Sequence, residues 1–143
     1  MIKITQPKVK IPTVSKAALD TNLLVLTGSI RSFMQTRTKS GQDLNHGLFK
    51  PYSDSYALQK QKRGKTGTVV QLVDTGNMFR SMSIRQISRG YQIYFADKNR
   101  AAIAYYHQSG SGQPKREWFG LNQADANVLF KRFGYKIPVV VFK

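Results

Sequence analysis

Leu19, Leu23, Leu26, Ile30 and Phe33 recur at spacings of three and four, which lines them along one face of a helix. Ser15 stands where an N-cap would open that helix. Gly28 lies inside it; a helical glycine costs about 1 kcal/mol relative to alanine, so a close packing contact or a bend is expected there. Upstream, Ile2, Ile4, Val9 and Ile11 alternate with polar residues, while Pro7 and Pro12 confine the segment to an edge strand or an extended arm. Thr36 to Lys50 is polar and rich in turn formers, hence a loop. Ser53 or Asp54 then caps a short helix over 53–58, which gives way to a basic linker, QKQKRGKTG.

Beyond the linker the apolar period shortens to two. Thr68 to Val73 reads as a strand, Asp74-Thr75-Gly76 as a turn and Asn77 to Ser81 as a single helical turn. Met82, Ile84 and Ile87 lead into a second strand, Arg89-Gly90 turns the chain, and Tyr91, Ile93 and Phe95 alternate along a third. That order predicts an antiparallel meander. Ala101 to Gln108 is predicted helical. Asn122 followed by Asp125 has the spacing of a capping box, and it opens a helix through Val128, Leu129 and Phe130 that Gly134 ends. The tail Ile137 to Phe142 reads as a strand or arm.

These elements predict an α+β fold, a small antiparallel β-sheet packed with two main α-helices and flanked by extended N- and C-terminal arms. At 143 residues a single domain, 1–143, is expected, with an arm over 1–14, a core over 15–134 and a C-terminal strand or arm over 135–143. No internal repeat is visible.

Charge changes the picture more than composition does. The chain carries 23 Lys and Arg against 7 Asp and Glu, a formal charge of +16 that attracts polyanions. The basic residues are dispersed. Their one modest cluster, Lys60, Lys62, Arg63 and Lys65, is the segment expected to face a polyanion. A dedicated reader of nucleic-acid sequence concentrates its charge in a stripe or motif. Dispersed charge points instead to nonspecific attraction, to nucleic acid or to an acidic protein surface.

Chemistry-bearing residue types are scarce. With no cysteine, disulfides and thiolate catalysis are excluded. Gly64-Lys65-Thr66 ends like a phosphate-binding loop, but Gln59 occupies the position that needs glycine. His46 and His107 are the only histidines, no nucleophile elbow is present, and the acids are scattered. No catalytic, cofactor-binding or metal-binding residue is assigned, and no enzymatic activity is expected. The N-terminus lacks the continuous apolar stretch of a secretory signal. No apolar run approaches the roughly 20 residues of a membrane helix, so no membrane partner is expected. Trp118 and Phe119 beside Lys115 and Arg116 could stack on bases. Because the block directly precedes a capped helix, packing with the basic pair solvated is the better reading. Tyr105 and Tyr106, on an apolar run, likewise read as core.

Four blocks in order resemble the phage virion-morphogenesis family, the Mu-type tail-completion proteins, and related siphophage head–tail connection proteins. They are Phe49-Lys50-Pro51-Tyr52-Ser53 with Tyr56; Leu72 to Gly76 with Met78 and Ser81 to Ile84; Ala104 to Gly110; and Pro114 to Leu121. Trp118 stands where the family has phenylalanine, Glu117 where proline is common, and the Ile137 to Phe142 extension has no counterpart. The resemblance implies a non-enzymatic virion protein, made in the host cytoplasm, that completes the tail or joins it to the head. It implies an oligomeric ring, commonly a homo-hexamer, around the channel through which genomic DNA passes. Its neighbours would be other neck and tail proteins such as a tail terminator, tail tube or head connector. On that reading Tyr105, Tyr106, His107, Lys115, Arg116, Trp118 and Phe119 set the loop 109–117 against a partner, and Trp118→Ala would leave heads and tails unjoined. The competing expectation is a basic, nonspecific nucleic-acid-binding domain. A small nuclease or toxin is disfavoured by the missing carboxylate cluster.

Overall fold

The structure, a computed structural model, describes residues 3–5, 16–65, 70–72, 76–87 and 90–134, of which 3–5 and 16–20 are described by backbone alone. In chain order the elements are β1 (Lys3–Thr5), α1 (Lys16–Lys39), α2 (Asp54–Lys62), α3 (Asn77–Arg80), β2 (Met82–Ile87), β3 (Gly90–Phe95), α4 (Lys98–Ser109) and α5 (Gln123–Arg132). The fold is α+β, a small antiparallel sheet with helices packed on it.

The stripe expected on α1 is buried at Leu23, Leu26 and Ile30 and continues through Met34, whereas Phe33 is only partly buried. Each such aliphatic side chain contributes about 1.5–3 kcal/mol when removed from water. The stripe lies against β3, whose Ile93 is fully buried, and α5 adds Ala126, Leu129 and Phe130 to the same core. One turn beyond Met34 the stripe turns polar while staying buried, at Arg37 and Thr38. A Cβ placed on Gly28 would meet nothing within 4 Å, so the close contact expected there is absent.

The sheet has the order β1-β3-β2, antiparallel throughout. Met82 pairs with Phe95 and Ile87 with Gly90 across the hairpin, while Lys3 pairs with Gln92 and Thr5 with Gly90 on the other edge of β3. This corrects the expected meander, because the third strand comes from the N-terminal segment and not from Thr68–Val73. Of that stretch Val70, Gln71 and Leu72 are described and lie outside any strand. Leu72 sits at φ 52°, in the left-handed region, which breaks the extended run while its side chain and that of Val70 enter the core. The Ser15 cap, the prolines of the N-terminal arm, Asp74-Thr75 and the Ile137–Phe142 tail fall outside the described residues.

Two helices outrun their sequence patterns. Instead of dissolving after Leu58, α2 continues through Lys62, with Ser53 as its N-cap. α4 starts at Lys98, ahead of Ala101, because the Asp97 carboxylate accepts the N–H groups of Asn99 at 2.8 Å and Arg100 at 3.2 Å. α5 opens as expected, with Asn122 Oδ1 accepting the Asp125 N–H at 2.8 Å. Among the described residues no helix is long and apolar enough to cross a membrane.

Candidate functional site

Where α4 ends, the chain doubles back. Gly110 caps the helix at φ 76°, a conformation glycine adopts without strain. A Cβ there would come within 2.8 Å of the Lys115 Cβ, so the returning strand of the loop passes directly over it. The Arg116 N–H then donates to the His107 carbonyl at 2.7 Å and closes the loop on the last turn of α4. Gln108 fastens the next two residues, its Oε1 accepting the N–H of Trp118 at 3.0 Å and of Phe119 at 2.9 Å.

Trp118 is the centre of this arrangement. It is 0% exposed, its indole N–H points at the Ala104 carbonyl at 3.4 Å, and its ring meets Phe79, Phe95 and Phe119 edge-on at 5.5, 6.0 and 5.4 Å. Such edge contacts add about 0.5–1.5 kcal/mol each beyond burial. Trp118 therefore cannot itself touch a partner, and its place on the partner-facing set is corrected. Packing won because the ring fills the space between the sheet and α4.

Arg116 is corrected for the same reason. Only 4% exposed, it donates through Nε to the Lys50 carbonyl at 2.9 Å and through Nη2 to the Pro51 carbonyl at 3.1 Å, with its guanidinium 5.2 Å from the Tyr52 ring centre. Burial lowers its pKa, partly offset by Tyr52 and Tyr56. Lys60, expected to face a polyanion, is 1% exposed. It lies along α2 with its ammonium 4.8 Å from the Tyr52 centroid and 5.9 Å from that of Tyr56, and donates to the Tyr52 hydroxyl at 3.4 Å. Of its cluster, Lys62 and Arg63 are exposed and Lys65 half-buried.

Between α2 and α4 these residues enclose a cleft of about 520 Å³, within the range of roughly 300–1,000 Å³ usual for ligand sites. Tyr56 and Lys60 line it from α2, Arg100, Ile103 and His107 from α4, and Met78 and Arg116 close its inner side. The α4 residues recur at three and four, the period that puts them on one helix face. Burial, and then the neighbouring Arg116 charge, push the His107 imidazole down to about 4, and its Nδ1 is buried without a hydrogen-bond partner. His107 is therefore neutral at pH 7. No carboxylate stands among the described residues of the cleft, so nothing there pairs with the imidazole as an acid–base couple. Among the described residues no three His, Cys, Asp or Glu side chains gather to hold a metal ion.

The chain matches no protein-family model, no curated protein and no solved structure.

Outside the cleft, α4 presents Tyr105 and Tyr106, 63% and 47% exposed, where core positions were expected. The faces of α4 explain the reversal, since Ala104 and His107 turn inward and leave the tyrosines outward. Lys115 is exposed and paired with Glu117, and Phe119 is half-buried. The structure thus brings His107, Arg116, Trp118 and Phe119 together as an anchor and leaves Tyr105, Tyr106 and Lys115 on the surface. Arg37 escaped the sequence reading altogether. Its Nη2 donates to the carbonyls of Trp118 at 2.5 Å and Gly120 at 2.9 Å, and its place on the buried stripe of α1 was the available signal.

Proposed function

We propose that the chain is a structural virion protein of a tailed bacteriophage, a tail-completion or head–tail joining component that acts as an oligomeric ring around the DNA channel. One observation carries the reading: the four blocks that resemble the family, scattered from Phe49 to Leu121, close on one another at Arg116 and Trp118. The first supplies the Lys50 and Pro51 carbonyls and the Tyr52 ring. The second supplies Met78 on the cleft wall, the third the Ala104 and His107 carbonyls and Gln108, and the fourth Arg116 and Trp118 themselves. A resemblance made of chance matches has no reason to assemble into one packed unit.

In this reading the chain performs no reaction. A cyclic ring repeats one heterologous interface, which needs exposed apolar area on a fixed element. Tyr105 and Tyr106 on α4 supply it beside the loop, and Lys115 adds charge at the rim. The excess of basic residues steers the encounter with acidic neck or tail proteins, or with the genome inside the channel.

The test is a phage carrying Tyr105→Ala with Tyr106→Ala in this gene. Filled heads and complete tails that fail to join are expected by electron microscopy, with the melting temperature of the purified variant within about 2 °C of the parent, as befits exposed positions. Normal virions would sink the reading. Trp118→Ala is the wrong variant, because removing a fully buried indole costs about 3–5 kcal/mol of fold. A purified protein that ignores tails and binds DNA with a steep salt dependence would mark a nucleic-acid-binding domain instead.

A further inference from the structure

We propose that the cleft between α2 and α4 receives a carboxylate side chain presented by a segment of a partner polypeptide. The inference rests on the assembly reading above for the partner's identity as a protein, and on the cleft alone for its chemistry.

Three cations line the cleft, Lys60, Arg100 and Arg116, and no Asp or Glu does so among the described residues. Arg116 is held in place by the Lys50 and Pro51 carbonyls, which take two of its five N–H donors. A guanidinium fixed in this way is preorganised for a planar carboxylate, which it pairs more strongly than a neutral acceptor. Arg100 stands half-buried on the opposite wall, at the first turn of α4. The remaining wall is apolar, from Met78, Ile103 and the Tyr56 ring. At about 520 Å³ the space exceeds what one carboxylate fills, so an apolar neighbour of the acidic residue enters with it.

The same features disfavour a nucleic-acid backbone. Phosphates are tracked by cations that reach into solvent, whereas Lys60 and Arg116 are 1% and 4% exposed. A side chain inserted between two helices reaches them; a strand laid across the surface does not.

The probe is a blocked hexapeptide of alternating Glu and Leu, titrated into the full chain while the methyl resonances of Met78 and Ile103 are followed. Its Gln–Leu counterpart and a thymidine hexanucleotide run beside it. The Glu peptide is expected to shift both methyls and the Gln peptide to leave them still. Arg100→Glu should weaken the peptide at least tenfold without harming α4, since an acid in the first turn suits the helix dipole. Lys131→Glu, the same charge change on exposed α5, should alter affinity less than threefold. Equal loss in both variants means attraction by net charge alone and overturns the proposal. So does an oligonucleotide that moves the same methyls as strongly, or a peptide that moves neither. Asp74 falls in sequence between the wall residues Leu72 and Gly76. If the peptide binds only Asp74→Asn, the chain's own carboxylate is the occupant and the proposal falls. Peptide binding by a protein whose Tyr105→Ala/Tyr106→Ala phage joins normally would reject the neck reading and leave the cleft's chemistry intact.

Discussion

Arg37 and Arg116 do similar work at the two ends of one short segment, and they do it in opposite surroundings. Each is buried and each gives two side-chain hydrogen bonds to backbone carbonyls far away in sequence. Arg37 reaches from α1 to Trp118 and Gly120, both buried, with the Asp125 carboxylate 3.8 Å from its Nη1. Arg116 reaches to Lys50 and Pro51, both exposed, and leans on Tyr52 where Arg37 has acids. Burial lowers both pKa values; Asp125 and Asp43 offset it for Arg37, and the two tyrosines for Arg116. One guanidinium is closed into the core with its counter-charge. The other is left on the wall of a cleft without one. The difference teaches where to look for a ligand: not at the most buried charge, but at the buried charge whose balance is missing.

Breaking both clamps separates them. Arg37→Met should cost about 3–5 kcal/mol, because it strands Asp125 and two carbonyls in a dry interior. Arg116→Met should cost only about 1–3 kcal/mol, since water can reach the carbonyls it releases. Denaturant midpoints of the two variants measure the gap, and equal losses would erase the comparison. A second measurement sharpens it through His107, which lies on the Arg116 side. The folded pKa of about 4 is below the ordinary 6.5, so the unfolded chain binds the proton more readily between those values. Stability from this group is therefore complete above pH 6.5 and lost as pH falls toward 4. Screening at a partly exposed imidazole leaves roughly 2 kcal/mol. Relative to the parent, His107→Gln should gain that much on going from pH 7 to pH 4.5. In an Arg116→Met background the gain should shrink, because one of the two causes of the shift is gone. The smallest effect is Gly28→Ala, expected to add about 0.5–1 kcal/mol since its Cβ would enter open space inside a helix. It should raise the midpoints of both arginine variants equally, and an unequal rise would tie α1 to one clamp alone.

Much of the architecture could be read from periodicity, because α1, β2, β3 and α5 each bury a face at their own period. The third strand could not. Thr68–Val73 has the composition of a strand, but one backbone torsion at Leu72 decides against it, and Lys3–Thr5 takes the open edge of β3. The site was legible as a set of blocks and not as a surface. Sequence placed Arg116 and Lys60 in solvent because cations usually stay there, and what drew them inside was the rings of Tyr52 and Tyr56 and the carbonyls of a distant loop. Tyr105 and Tyr106 failed in the other sense, since two adjacent aromatics on a helix cannot both face inward once Ala104 and His107 do.

The single tryptophan gives this molecule a reporter of its own. Trp118 is sealed from water between the sheet and α4, and its backbone is held by Gln108 and Arg37. Its ultraviolet emission therefore belongs to one place, the seat of the returning loop. A shift of that emission to longer wavelength marks the moment the loop lifts, in an intact and unlabelled chain, whether heat, acid or a docking neighbour does the lifting.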